Sequence, residues 1–173
     1  AAPPELNRAG IADVVSICTA LGDWKIAAAH FGEPFDDEVF HTAMEIADDL
    51  LGHADDIREV NEAGIRAIVD GQVDEVTLCE NWGDARPEEG SEHFLAYCLE
   101  EITGDHYIHG NLIALNMLAT LKLQRDYAVY DYNRLKKFFD EAGLGYRPAE
   151  QGIRKEDMLR ALTEVPAFVD REG

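Results

Sequence analysis

The sequence predicts an all-α fold: a multi-helix domain with no nucleotide-binding sheet. Helix-capping residues and glycine stops recur along the chain, whereas runs that alternate apolar and polar residues are almost absent. A glycine-rich strand–turn–helix is also missing, because its nearest candidate, "GLGYRP" at 143–148, follows a helical segment and lacks the third glycine. With 173 residues, 46% of them hydrophobic, the chain is sufficient for one domain with a buried core.

Capping residues and glycine stops divide the first half of the chain into helices. Asn7 is a candidate cap for the first, and Asp36 or Asp37 for the third. Asp55 or Asp56 is placed to begin the fourth. The predicted helices cover 7–21, 23–31, 36–51, 55–71 and 73–82, with stops at Gly22, Gly32, Gly52 and Gly71.

The second half is predicted to contain three further helices. Ser91 is a candidate cap for the helix that carries His93. A long helix extends from about 109 to 142, stops at Gly143 and is apolar on nearly all sides, which is typical of a central helix. A short helix over 155–162 follows the second of two loops rich in glycine, proline and charge, 84–90 and 143–153.

The charge composition limits the classes of partner. The chain has 35 acidic and 15 basic residues and a formal net charge of −20. Nucleic acid and anionic membranes would be repelled, so neither is an expected partner. Three cysteines form no C-x-x-C pair, and Cys18 and Cys98 lie in apolar runs. Free buried thiols, a reducing compartment and therefore the cytoplasm are expected.

Asp13 is the first candidate for a functional residue. In a helix, Ile11, Val15 and Cys18 share one face, and Asp13 points roughly the other way. Its neighbours on that side are small or apolar, so the helix is expected to be covered on both sides. A carboxylate there needs a cation or hydrogen-bond donors to offset its desolvation. A structural ion pair and a ligand role both satisfy this requirement.

Three histidines fall within a short stretch, "GSEHFLAYCLEEITGDHYIHG". His93 is expected in the first turn of its helix, where a core, surface or ligand role is compatible with the sequence. His109 begins the apolar helix, so it faces a junction between elements. His106 lies three residues earlier and shares that face if the turn is helical. One aspartate and two histidines at such positions fit a three-ligand metal site with an open position.

The same segments resemble a known superfamily. "AGIADVVSICTALGDWKIA" is similar to the start of the helical domain in iron-containing alcohol dehydrogenases and dehydroquinate synthases, and most similar to the glycerol-1-phosphate dehydrogenase branch. Gly10 and Asp13 match its G-x-x-D motif, and Asp23–Trp24 its D-W. "GSEHFLAYCLE" and "HYIHGNLIALNML" resemble its S-E-H and H-G segments, although Asn111 stands where a glutamate usually follows.

The resemblance implies a function for this helical domain, residues 1–173. Asp13, His93 and His109 would bind a divalent metal (zinc, iron or nickel), and His106 would contact substrate or relay a proton. The metal would act as a Lewis acid on the hydroxyl of a polyol or polyol phosphate. NAD(P) would bind to an N-terminal domain that this chain lacks, so no cofactor-binding residue is expected here. The chain would then be the C-terminal part of a longer two-domain dehydrogenase. Alone it is expected to be inactive, and the protein could form a homo-oligomer.

Three other interpretations stay open. A stand-alone helical domain could bind a metal or a partner protein without catalysis. The site could be empty and the domain purely structural. A dehydroquinate synthase-like lyase is the third, although that branch places glutamate at the first ligand position, where this chain has Asp13.

Overall fold

A computed structural model describes residues 2–172, without the side chain of Glu172, and leaves the terminal residues Ala1 and Gly173 of the expected 1–173 domain outside. The all-α prediction is confirmed: 78% of the structure is helical, and no strand occurs within the described residues. The helices are α1 Pro4–Ala9, α2 Ile11–Val15, α3 Ile17–Phe31, α4 Asp37–Leu51, α5 Ala54–Glu59, α6 Glu62–Trp82, α7 Ser91–Thr103, α8 His109–Gln124, α9 Tyr132–Ala142, α10 Pro148–Gln151 and α11 Lys155–Glu172, with a 3-10 turn over Arg125–Tyr127.

The first predicted helix, 7–21 with a stop at Gly22, is wrong in its bounds. Three helices, α1 to α3, occupy this region, and Gly22 lies inside α3. Gly22 is buried inside α3, and the side-chain amide of Gln124 occupies the space where a Cβ would lie. Asn7 does not cap either; its side chain donates to the carbonyl of Ala2 at 2.9 Å.

The predicted break between the helices 55–71 and 73–82 is also misplaced. The sequence suggested a stop near Gly71, but α6 runs through Gly71, which packs against the side chain of Leu50. The chain instead breaks after α5, where Val60 takes a left-handed conformation with φ of 52°. The side chain of Asn61 then caps α6 by accepting a hydrogen bond from the Gly64 amide at 3.0 Å. Helix α4 has the predicted bounds, with Asp36 as its cap.

Three predictions for the second half differ from the structure. Ser91 is the first residue of α7 and not its cap; its amide donates to the Asp23 carboxylate at 2.7 Å. The predicted helix 109–142 ends at Gln124, and α9 begins anew after Asp131, whose carboxylate accepts from the Asn133 amide at 2.9 Å. The final helix, predicted over 155–162, continues to Glu172.

Helix α8 lies at the centre of the core, as its apolar sequence predicted. It packs against α2, α3, α7 and α9, and α2 also contacts α4 and α6. Cys18 and Cys98 are buried free thiols, as expected. No helix in the described part of the chain is both long and apolar enough to cross a membrane. The first turns of α7 and α8 lie close to α2, because His93 and His109 both approach Asp13 there.

Candidate metal centre

Asp13 projects from the short helix α2. The flanking residues Ala12 and Val14 are fully buried, and so is Ile11, which agrees with a helix covered on both sides. The Asp13 side chain keeps 35% of its surface exposed. The hydroxyl of Ser16, just after the helix, donates to the carbonyl of Glu88 at 2.8 Å. This bond ties the loop before α7 to α2 and brings the start of α7 next to Asp13.

His93 lies in the first turn of α7 and is 5% exposed. Its Nδ1 donates to Oε1 of the fully buried Glu92 at 3.0 Å. Glu92 is held in turn by the Gly90 amide at 2.6 Å and the Thr19 hydroxyl at 2.7 Å. A carboxylate on one imidazole nitrogen fixes the ring and leaves the other nitrogen free to bind. Here that other nitrogen, Nε2, lies 3.3 Å from Oδ1 of Asp13.

His109 is the first residue of α8. The next residue, Gly110, lies so close to the carbonyl oxygen of Ala9 that no Cβ could be accommodated there. This contact sets the start of α8 directly beside α1. As a result, Nε2 of His109 lies 3.2 Å from the same Asp13 Oδ1, with 43% of the His109 side chain exposed. The ring of Tyr97 stacks on His109 with centroids 6.4 Å apart.

The three side chains form one cluster. Each of Asp13, His93 and His109 offers one potential ligand atom, and these three atoms lie within 4.8 Å of one another. The rings of His93 and His109 have centroids 5.4 Å apart. Two imidazole nitrogens and one carboxylate oxygen are the donor set of three-ligand zinc and iron sites. His93 forms the buried floor of the cluster, and Asp13 and His109 face outward.

The electrostatics of the cluster depend on these contacts. Hydrogen bonds with His109 and then His93 hold the pKa of the Asp13 carboxyl below its usual range, against the effect of burial. Burial lowers the pKa of His93, but the hydrogen bonds with Asp13 and Glu92 act more strongly together and raise it to about 10. The two carboxylates on either side of His93 therefore favour its protonated form when no metal is bound.

Two residues that the sequence analysis did not single out belong to this region. Glu92 orients His93, and its position directly before His93 in the S-E-H segment was the available signal. Glu75 of α6 is 2% exposed, and its Oε2 has no hydrogen-bond partner among the described residues. Burial, then the negative charges of Glu88 and Asp13, raise the pKa of Glu75 to about 9. Its burial had no signal in the sequence, because the predicted helices break at Gly71, four residues before Glu75.

His106 does not join the cluster. It lies in the segment between α7 and α8, its side chain is 94% exposed, and its Nδ1 is 3.8 Å from Glu100. The turn before α8 is not helical, so His106 and His109 do not share a helix face as the sequence had suggested. The structure thus brings together three of the four candidate site residues.

Comparison with known proteins identifies relatives along almost all of the chain. No model of a protein family matches the sequence. A glycerol-1-phosphate dehydrogenase [NAD(P)+] of Hyperthermus butylicus is 32% identical over 164 residues, 94% of this chain and 45% of that protein. The same enzyme of Sulfurisphaera tokodaii is 30% identical over 162 residues, again 94% and 45%. That of Thermoplasma volcanium is 26% identical over 167 residues, 96% and 46%.

These matches have one limit in common. The chain spans just under half the length of the curated relatives it matches. Over nearly its whole length the chain is therefore a relative of the glycerol-1-phosphate dehydrogenases, which confirms the branch that its sequence motifs indicated.

Proposed function

We propose that residues 1–173 are the metal-binding helical domain of an NAD(P)-dependent dehydrogenase that acts on a polyol or polyol phosphate. Asp13, His93 and His109 are its metal ligands in this proposal. The observation that carries it is the convergence of their ligand atoms within 4.8 Å, from three separate helices. The relatives are named as glycerol-1-phosphate dehydrogenases that use NAD(P)+, which supports the substrate class and the nicotinamide cofactor.

The residues present fit a divalent metal. They offer two nitrogens and one oxygen, and His93 already has the carboxylate partner that metal-binding histidines usually have. Zinc, iron and nickel are all compatible with this donor set. When bound, the metal supplies a Lewis acid that polarises the substrate oxygen.

Neighbouring residues of the chain hold the ligand side chains in position. Glu92 holds the His93 ring from behind, and Tyr97 stacks on His109. Because Asp13 and His109 are each more than a third exposed while His93 is buried, substrate approaches from the outward side of the cluster. No strand occurs in the described residues, so NAD(P) is bound by a separate nucleotide-binding domain in this proposal.

The same proposal includes the cellular setting. A net charge of −20 disfavours nucleic acid and anionic membranes as partners. Free cysteines support a reducing compartment, for which we propose the cytoplasm.

The decisive experiment is to read the coding sequence upstream of Ala1 and to express the full-length product. We expect a glycine-rich strand–turn–helix upstream and NAD(P)-dependent oxidation of glycerol 1-phosphate, lost in the His93→Ala variant. A start codon directly before Ala1 would overturn the dehydrogenase proposal. Metal binding by the chain would then favour a non-catalytic metal-binding module.

Glu92→Gln should weaken metal binding without removing a ligand. The amide keeps the size of the side chain but loses the charge that orients His93 and increases its basicity. We expect the dissociation constant for zinc to rise by about 10- to 100-fold, measured by competition with a chromophoric chelator. Glu156→Gln, at an exposed glutamate of α11, is the control. An unchanged dissociation constant for Glu92→Gln would show that this carboxylate does not support the site.

Metal binding should release protons near neutral pH. His93, whose pKa of about 10 keeps it protonated in the metal-free chain, must lose a proton before Nε2 can bind a metal. We expect release of at least about one proton per ion near neutral pH, decreasing to none for this residue as the pH rises through 10. Titration calorimetry in two buffers of different ionisation enthalpy measures it. A heat of binding that does not depend on the buffer would contradict this prediction.

A further inference from the structure

Helix α7, which carries His93, begins without a capping side chain next to it in the sequence. Its N-cap residue is Gly90, which has no side chain that could accept a hydrogen bond. The first backbone N–H groups of a helix have no partner within the helix, so they need acceptors from elsewhere. A frayed first turn would move His93, which lies in that turn. The acceptors at the start of α7 therefore bear directly on the metal centre.

A carboxylate from another helix supplies one of these acceptors. Oδ2 of Asp23, in α3, accepts a hydrogen bond from the Ser91 amide at 2.7 Å. A carboxylate at a helix N-terminus is favoured by the helix dipole as well as by the hydrogen bond. Oδ1 of Asp23 accepts from the side-chain amide of Gln124 at 2.8 Å, which holds the carboxylate in place. Asp23 thus caps α7 from a distance of 68 residues along the chain.

A glycine at position 90 lets the start of α7 approach α3 closely. A Cβ on Gly90 would lie 2.7 Å from Oδ2 of Asp23, which is too close for any real Cβ. Thr19, one turn before Asp23 on the same face of α3, donates its hydroxyl to Oε2 of Glu92 at 2.7 Å. This face of α3 therefore holds both the start of α7 and the carboxylate that orients His93.

The Asp23 carboxylate is kept in an unfavourable environment. Burial raises its pKa, although the hydrogen bonds from Gln124 and Ser91 act against this. A second carboxylate, that of Glu92, raises the pKa further. Withdrawing a carboxylate from water costs free energy that hydrogen bonds must offset. The hydrogen bond to the first turn of α7 is therefore the contact that accounts for an aspartate at this position.

We propose that Asp23 is a positioning residue of the metal centre, which sets the place of His93 by capping α7 from α3. This inference rests on the proposed function, in which His93 is a metal ligand. It gives the segment from α2 to α3 two parts in one site. Asp13 of α2 is a ligand itself, and Asp23 of α3 fixes the position of another ligand. Asp23 does not bind the metal; it acts through the Ser91 amide.

Zinc affinity and the visible spectrum of the cobalt-substituted chain test this role. In Asp23→Ala the Ser91 amide loses its acceptor. We expect the zinc dissociation constant to rise by about tenfold, at the lower end of the effect of groups that support metal ligands. The absorption bands of bound Co²⁺ should also shift, because they report the arrangement of the ligands. Leu135→Val, in the buried core at α9, also weakens the fold but should change neither quantity.

Ser91→Pro removes the other half of the hydrogen bond. Proline lacks an N–H but suits the first position of a helix, and the extended backbone of Gly90 is compatible with a following proline. Alone, this variant leaves the Asp23 carboxylate without its donor and should weaken zinc binding about as much as Asp23→Ala does. The double variant should bind zinc at least as tightly as either single variant. Losses that multiply to about 100-fold would show that the two residues act independently, which overturns the proposal.

Hydrogen exchange of the metal-free chain separates this inference from the proposed function. Asp23→Ala should speed exchange of the Leu95 and Ala96 amides, which close the first turn of α7. Unchanged exchange there, or an unchanged dissociation constant in a chain that binds zinc, overturns the positioning role of Asp23. If the wild-type chain binds no zinc, the proposed function fails, and exchange alone decides whether Asp23 holds the turn that carries His93.

Discussion

Replacing His93 with alanine is expected to abolish stoichiometric metal binding by the chain. His93 supplies the buried nitrogen of the cluster, and its loss leaves Asp13 and His109, which are both partly exposed. Since loss of a supporting partner alone costs 10- to 100-fold, loss of a ligand should weaken binding by more than about 100-fold. Elemental analysis of the purified protein after dialysis, with zinc titration by calorimetry, measures the effect.

The matched control is His106→Ala. His106 was a sequence candidate for catalysis, but its side chain is 94% exposed and lies outside the cluster. Its replacement should leave metal content unchanged. Full metal content in His93→Ala, Asp13→Ala and His109→Ala alike would show that these residues are not the ligands.

Gly110→Ala, which adds a single methyl group, is expected to destabilise the fold strongly near the site. The new Cβ would overlap the backbone carbonyl of Ala9, which cannot rotate away as a side chain can. The start of α8 must then move away from α1, and His109 moves with it. We expect a loss of about 3 kcal/mol in the free energy of unfolding and a melting temperature lower by about 6–12 °C. Thermal unfolding by circular dichroism measures both.

Gly10→Ala provides the comparison for that change. A Cβ at Gly10 would meet its nearest neighbour, the Asn7 carbonyl oxygen, at an ordinary 3.5 Å, and its φ of −57° suits any residue. This variant should therefore be close to the wild type in stability. Equal stability of Gly110→Ala and Gly10→Ala would mean that α8 does not approach α1 as closely as described.

The fold class could be predicted from local sequence, because helical periodicity and capping residues are local properties. Helix α4, with its Asp36 cap and apolar face, has the predicted bounds for this reason. Gly22 and Gly71 were predicted as helix ends, yet both lie inside helices. Each is small because a distant side chain, Gln124 or Leu50, packs against it. Sequence alone does not separate a glycine that ends a helix from one that admits a neighbour.

The candidate site, too, could be predicted from the sequence only in part. Motif order and residue type indicated Asp13, His93 and His109, and the structure places these three side chains together. Their role as metal ligands stays a prediction for the variants above to test. His106 was proposed because it lies three residues before His109, but an extended turn separates their faces. The burial of Glu75 and the hydrogen bond of Glu92 to His93 became visible only in the structure.

By itself, the sequence determined the helical class, the acidic surface and the relationship to glycerol-1-phosphate dehydrogenases, since periodicity, charge and motif order need no coordinates. Only the tertiary structure decided which histidines meet Asp13, which carboxylate holds His93 and which carboxylate caps α7. The physical reason is that these features depend on distances between residues far apart in the chain. Those distances are set by the packing of α2, α7 and α8, and no local pattern encodes them.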